Sequence, residues 1–367
     1  MPTVGSLSPT SFVGRGPFAV GEATLTLPTD GAPVEVWYPA TKASVAHRPE
    51  ADYNLGDWLP GPLQKLVLKV VRADPDAVSI AYPSGGVRGV PVAPGRYPLV
   101  VFSHGYGGYR DQSTFLTAHL ATWGFVVAAP DSYSQDLTQV LGGPTPAKEK
   151  TTAVEDLRAT IDLLARKDAS ASSHFHGHVD TGLVGAVGHS AGGAAVEALA
   201  VVDPRVTTFV GLAGATVGSF GQTKTGAASK APEQPGMLMS GTADQVVLSG
   251  SMITAYERMN EPKRLVLLRN AGHLVFADVC EIGTAQGGLL AIATALKVPV
   301  PASLRPLAND GCLAPDTPPP DAWPAIWQAV TAQLRHAFGF DASTAGLSAL
   351  EQAFPNVVAG NRADPRP

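Results

Sequence analysis

One stretch constrains this chain more than any other. Over residues 182–202 an apolar run, Gly-Leu-Val-Gly-Ala-Val, meets Gly188-His189-Ser190-Ala191-Gly192-Gly193 and then Ala-Ala-Val-Glu-Ala-Leu-Ala-Val-Val. The first run is short, apolar and Val-containing, the pattern of a buried central strand. The last suits a helix lying on a sheet, and Asp203-Pro204 stops it. A strand that turns this sharply into a helix holds the intervening Ser on strained backbone with its hydroxyl exposed. A Cβ at Gly188 or Gly192 would clash in so tight a turn. The chain has 39 glycines, so a Gly near a Ser is common, yet Ser190 alone has Gly at both −2 and +2. The plainer alternative is a Gly-rich turn without chemistry, and the partners described below weigh against it.

The rest of the chain reads as strands and helices in alternation. Residues 1–20 are rich in Pro, Gly and Ser and predict a loose N-terminal arm. Residues 22–27 and 34–38 are β formers around the turn residues Pro28-Thr-Asp-Gly31, an edge hairpin. Apolar runs at 98–103, 124–130, 206–212, 237–240 and 264–268 predict further strands. Helices are predicted at 112–123, 148–166, 249–259 and 322–338, the last with Trp323, Ile326, Val330, Leu334 and Phe338 on one stripe. This order argues an α/β fold with a mostly parallel central sheet and helices on both faces. A single domain is expected over 21–340, with an insertion at about 41–97, a Pro-rich loop at about 281–322, and a C-terminal helix and tail over 341–367. Inside the first insertion Leu63, Leu66, Val67 and Val70 fall at helical spacing opposite Lys65, Lys69 and Arg72. That helix either packs on the body or forms a flap or interfacial contact.

A serine hydroxyl is a weak nucleophile and needs a base within hydrogen-bond reach, most often a His that a carboxylate orients. In an open α/β sheet such groups sit on loops at the carboxyl ends of strands. Asp244, in Gly241-Thr-Ala-Asp-Gln-Val-Val247, follows the 237–240 strand. His273, in Asn270-Ala-Gly-His-Leu274, follows the 264–268 strand. Each alone is an ordinary loop residue, but the order Ser190, Asp244, His273 is the one this fold expects. No Asp or Glu lies between Pro204 and Pro232, so the loop after 206–212 cannot supply the acid. Asp278 and Asp131 rank below Asp244. The oxyanion of an acyl-transfer intermediate needs two donors. The Ala191 N–H, opening a helix, is one, and the Tyr106 N–H in His104-Gly-Tyr-Gly-Gly108 is the other. Tyr106 and His189 are also candidate substrate contacts.

Other chemistries find little support. Net charge is −5, which does not suggest a nucleic-acid surface. No apolar run approaches the ~20 residues of a membrane span. The N-terminus has no basic region followed by an apolar one, so the chain reads as cytoplasmic, or as secreted if a leader has been removed. His174, His176 and His178 resemble a metal patch but lie in a polar Ser/Gly loop, and no metal and no cofactor are expected. Cys280 and Cys312 are the only cysteines; a single bridge and two buried thiols are both open. Oligomeric state is not legible.

These residues resemble the α/β-hydrolase superfamily, and within it the dienelactone-hydrolase-like branch, which includes bacterial cutinase-like polyester hydrolases and platelet-activating-factor acetylhydrolase-like esterases. The similarity runs from Val34-Glu-Val-Trp-Tyr-Pro39 to about residue 280. It is most specific in Phe102-Ser-His-Gly-Tyr-Gly-Gly108, Trp123-Gly-Phe-Val-Val127, Gly188–Gly193, Gly241–Val247 and Ala271-Gly-His273. It implies a serine carboxylic ester hydrolase acting through an acyl-enzyme on short-to-medium acyl esters or polyester fragments. An amidase, peptidase or acyltransferase on the same residues, or a non-catalytic ligand-binding relative, are the rivals. The chain departs from the resemblance in three places. Ser190 stands where dienelactone hydrolases carry Cys, the acetylhydrolases' acid loop has no carboxylate here, and the insertions at 41–97 and 281–322 narrow the cleft of a polyester hydrolase.

Overall fold

Leu99 and Val101 face one side of their strand and Val100 and Phe102 the other, and all four are fully buried. A strand apolar on both faces must lie inside a sheet covered twice. The computed structural model places it there, and describes residues 2, 4–73, 80–144, 151–215, 231–282, 287–302 and 304–364, without the side chains of 71–73. The strands are β1 (Ala19–Thr26), β2 (Pro33–Ala40), β3 (Asp52–Asn54), β4 (Ala81–Pro83), β5 (Val87–Arg88), β6 (Tyr97–Ser103), β7 (Val126–Pro130), β8 (Val179–His189), β9 (Val206–Leu212), β10 (Gly236–Gly241), β11 (Lys263–Leu268) and β12 (Val358–Asp364). The helices are α1 (Lys42–Val45), α2 (Gly61–Ala73), α3 (Thr114–Thr122), α4 (Leu137–Val140), α5 (Ala153–Ala169), α6 (Ala191–Val202), α7 (Ser249–Arg258), α8 (Leu289–Ala295), α9 (Pro319–Ala337) and α10 (Leu350–Ala353).

Ten strands form one sheet in the order β12-β11-β10-β9-β8-β6-β7-β2-β1-β5. From β7 to β11 every pairing is parallel, while β2 joins β7 and β12 joins β11 antiparallel. One face packs on α5, α6 and α7 through residues such as Leu157, Ile161, Val196, Leu199 and Met252. The other packs on α3 and α9 through Phe115, Leu120, Trp323, Ile326 and Val330. The α9 stripe read from sequence therefore is a core face. A capping box, Thr152 with Glu155, starts α5 later than the predicted residue 148. Most of the Gly/Ser/Lys-rich loop read at 214–235, and residues 148–150 of that helix, lie outside the described residues. The hairpin β1–β2 is not the outermost pair, because the two-residue β5 adds to β1.

Two expectations are corrected. The N-terminal segment is not a loose arm. Phe12 is fully buried with Ala332 and Leu347, its ring meets Trp123 edge-on at 4.9 Å, and its N–H donates to Gln328 Oε1 at 2.7 Å. One aromatic finding an apolar slot anchors a segment whose composition alone suggests mobility. Residues 358–364 are not a tail but the edge strand β12, paired with β11 from Lys263↔Asp364 to Leu268↔Val358 with a shift of register between Leu267 and Leu268.

The insertion at 41–97 carries α1, α2, the β3–β4 ribbon and β5. Val67, on α2, is fully buried with Tyr53, Trp58, Ile80, Tyr109, Ile282, Ile292 and Leu296. So α2 packs against the second insertion, while Leu66 and the lysines at 65 and 69 stay exposed. Of the alternatives for the cysteines, the structure contains the bridge: Cys280 and Cys312 are joined across 32 residues of chain. Closing a loop of that size restricts the unfolded chain and contributes about 3–4 kcal/mol. Reduction, or Cys280→Ser with Cys312→Ser, is expected to lower the melting temperature by several degrees in calorimetry, with an unchanged melting point as the contrary result.

Candidate active site

The turn between β8 and α6 is as tight as its glycines imply. Ser190 sits at φ 56°, ψ −121°, a conformation costly for a residue with a side chain. A Cβ on Gly188 would lie 2.2 Å from the Gly192 carbonyl oxygen, and one on Gly192 2.1 Å from that of Ser103. Only glycine fits at either place. The Ser190 N–H donates to the Leu212 carbonyl of β9 (2.8 Å), which ties the turn to the neighbouring strand.

Asp244 follows β10 and His273 follows β11, so both stand at the carboxyl ends of parallel strands beside the end of β8. His273 Nδ1–H donates to Asp244 Oδ2 at 2.9 Å, and both residues are almost wholly buried. The other carboxylate oxygen, Oδ1, accepts from the N–H groups of Val246 (2.8 Å) and Val247 (2.7 Å). Each oxygen thus has a different task, and the carboxylate cannot turn without breaking one set. On the far side of the ring, His273 Nε2 is buried and has no hydrogen-bond partner. No hydrogen bond joins it to Ser190, and both residues line the same cavity.

The loop after β6 lies across this cavity. His104 is fully buried, and burial lowers its pKa, so its ring is neutral. Its Nδ1–H donates to the Gly105 carbonyl (2.9 Å), and its Nε2 accepts from the Ser132 N–H (3.0 Å). Gly105 N–H donates to Gln112 Oε1 (3.0 Å), and Gly107 N–H donates to the Gln135 carbonyl (2.8 Å). The Tyr106 N–H between them has no acceptor among the described residues, and the Tyr106 side chain is exposed at the cavity mouth. Ala191, the first residue of α6, likewise has no intrahelical acceptor for its N–H.

His189, a candidate substrate contact, also borders the cavity, but its nitrogens are spoken for. Gln112 Nε2 donates to its Nδ1 (3.0 Å), and its Nε2–H donates to the His273 carbonyl (3.1 Å). Burial, with His273 close by, holds its pKa well below the ordinary value. A polar contact between His189 and a substrate is therefore not available. The residue instead links the 104–108 loop, through Gln112, to the backbone of His273. No sequence signal marks Gln112, which reads as an ordinary residue near the start of a helix.

A second unanticipated residue is Asp310, in the insertion at 281–322. Its carboxylate accepts from the N–H of Gln245 (2.9 Å), and its carbonyl accepts from Leu274 N–H (2.8 Å). One residue so holds the loop of Asp244 and the loop of His273. In sequence Asn309-Asp310-Gly311 looks only like a turn. Asp131 and Asp278, set below Asp244, have structural partners. Asp131 accepts from Arg110 (2.6 Å) and from Trp58 Nε1, and Asp278 caps α3 through the N–H of Phe115 (2.9 Å) and the Thr114 hydroxyl (2.6 Å). His176 and His178 contact backbone carbonyls of Asp168 and Gly95, and His174 lies edge-on to Tyr38. Among the described residues no cluster of His, Cys, Asp and Glu is arranged to hold a metal ion.

The cavity has a volume of about 190 Å³. Ser190, His273 and Tyr106 line it together with Leu137 and Leu141 and with aliphatic side chains of the two insertions such as Leu59, Val67, Ile80, Leu290 and Ile292.

A parallel sheet covered by helices on both faces, with a strand–Ser–helix turn at its centre, defines the α/β-hydrolase fold. The sequence profile of the dienelactone hydrolase family matches residues 85–299, more than half of the chain, and the chain belongs to that family. The profile of platelet-activating factor acetylhydrolase, isoform II, matches residues 13–141. No curated protein matches the chain. Both matched families indicate a hydrolase of esterase type. Among the described residues no helix is long and apolar enough to cross a membrane.

Proposed function

We propose that the chain is a serine carboxylic ester hydrolase that works through an acyl-enzyme on short-to-medium acyl esters or polyester fragments. The observation that carries this reading is the buried pair Asp244–His273, with Nε2 left without a partner and His273 lining the same cavity as Ser190. In this mechanism His273 Nε2 takes the Ser190 proton as Oγ attacks the ester carbonyl carbon. The oxyanion is held by the N–H groups of Ala191 and Tyr106, neither of which has an acceptor among the described residues. Collapse of the tetrahedral adduct breaks the bond to the alcohol oxygen, which leaves with the proton from His273. Water, deprotonated by the same nitrogen, then attacks the acyl-enzyme, and the acid departs as Ser190 regains its proton. Asp244 keeps the ring in the Nδ1–H tautomer and stabilises the imidazolium. No cofactor enters the cycle.

The test is covalent. A fluorophosphonate ester should add once per chain, at Ser190, with loss of esterase activity in proportion to labelling, as read by mass spectrometry of tryptic peptides. No adduct at Ser190 under conditions where the protein is folded would refute the proposal.

A further inference from the structure

Outside the residues already given a role, the most distinctive feature of the cavity is what its walls contribute. Most of the lining side chains are aliphatic, among them Val67 and Ile80 from the first insertion and Leu290, Ile292, Leu296 and Leu304 from the second. Among the described lining residues there is no Lys, Arg, Asp or Glu. Gln112 and His189 have both committed their polar atoms to the protein. Tyr106, exposed at the mouth, and Tyr109 remain; burial raises the pKa of the Tyr109 hydroxyl and of the neighbouring Tyr53, so both stay protonated and uncharged.

Lys297 and Arg305, next in sequence to the lining residues Leu296, Val298 and Leu304, are exposed and outside the lining, and Arg305 Nε donates to the Val300 carbonyl (3.4 Å). Arg110 packs over the Trp58 ring at 4.7 Å and is held by Asp131 (2.6 Å), Glu35 (3.3 Å) and Asp111 (3.5 Å). The lysines at 65 and 69 lie on the exposed side of α2, opposite buried Val67. Asp244, behind His273, adds a negative charge at the catalytic end. A carboxylate brought into this chamber would lose its water and find neutral hydroxyls but no cation in the described lining, an unfavourable transfer for a charged ligand.

We infer that the chamber built by the two insertions seats an uncharged aliphatic arm of the ester and rejects the same arm bearing a carboxylate. This rests on the serine esterase reading and adds to it a substrate class. One consequence is directional: a neutral diester is cut once, and its product, an anionic half-ester, is a poor substrate for a second cut.

Two matched pairs test the inference. p-Nitrophenyl hexanoate is compared with mono-p-nitrophenyl adipate, which places the charge on the acyl arm. Hexyl butyrate is compared with 6-(butanoyloxy)hexanoate, which places it on the alcohol arm. In at least one pair kcat/KM for the neutral ester should exceed that for the anionic one by about 100-fold, expressed mainly in KM; a ratio below tenfold in both pairs overturns the inference. Leu290→Lys, at a half-buried wall position on a short helix, should shrink the larger ratio at least tenfold by giving the carboxylate a partner. Leu289→Lys, on the same helix, replaces it if that variant does not fold. A folded variant with an undiminished ratio also overturns the inference. The two readings fail separately. Absence of a phosphonate adduct at Ser190 rejects the esterase mechanism, whereas a normal adduct with charge-indifferent turnover rejects only the chamber's selectivity.

Discussion

Ser190→Ala is expected to lower kcat/KM for p-nitrophenyl butyrate by about 10⁴- to 10⁶-fold, and Asp244→Asn by about 10⁴-fold, with both proteins melting near the wild-type temperature. The serine variant loses the atom that would carry the acyl group. The asparagine variant is the sharper test of geometry. Asp244 Oδ1 already accepts two backbone N–H groups, from Val246 and Val247. An amide at this position keeps those bonds only by retaining its oxygen there and turning its NH₂ toward His273. The NH₂ then donates to Nδ1, and the ring proton moves to Nε2, where the base should accept. The opposite flip restores the tautomer but sets the NH₂ against two backbone donors. Either way the base is disabled while the fold stands. Full activity in Asp244→Asn, measured on purified protein to exclude wild-type carry-over, would show that the proton leaves Ser190 by another route.

Asp341→Ala should destabilise the protein by about 3–5 kcal/mol, the largest stability loss expected from a single substitution away from the site. Asp341 faces Arg335 of α9 in a two-pronged pair, Nε to Oδ2 and Nη2 to Oδ1, each 2.8 Å, and the Arg335 side chain is 1% exposed. The guanidinium also lies over the Phe12 ring at 5.2 Å and donates to the Pro2 carbonyl (3.1 Å). Removing the carboxylate leaves an unpaired cation where water does not reach. Because that cation also anchors the N-terminal segment, the loss should appear both as a lower midpoint in urea and as faster proteolysis near residues 12–16. Arg335→Met with Asp341→Leu removes both charges together and should recover much of the stability. A melting curve for Asp341→Ala that overlays the wild type would mean the pair contributes nothing net.

Much of the architecture could be read from the chain because its signals are local. An apolar strand next to Gly188-x-Ser190-x-Gly192, and a loop residue just after each of two apolar runs, depend on a few adjacent residues. The parts that escaped depend on partners far away. Phe12 is one ring in a stretch rich in Pro, Gly and Ser, and only the slot beside Ala332 and Leu347 gives it a role. Strand β12, Val-Ala-Gly-Asn-Arg-Ala-Asp, lacks an apolar alternation, and is extended because the edge of β11 offers hydrogen bonds. Gln112 and Asp310 act by bridging loops from different strands, a property that no spacing in their own neighbourhood encodes. The two insertions were visible as irregular, Pro-rich stretches. That they meet through Val67 and Ile292 was not, since burial against another insertion is decided only when both are folded.

Asp310, which bridges two loops, and the Cys280–Cys312 bond belong to the same segment that supplies Leu304 to the chamber wall. Width of the substrate space and posture of the imidazole are therefore mechanically joined. Exchanging residues 287–312 for a shorter loop, to admit bulkier esters, would also release the backbone that aims His273. Among the described residues the opposite wall, in the helix carrying Val67, makes no hydrogen bond to the loops of Asp244 and His273, but it packs on Ile292 and Leu296 of this same segment, so changes there are felt through packing alone.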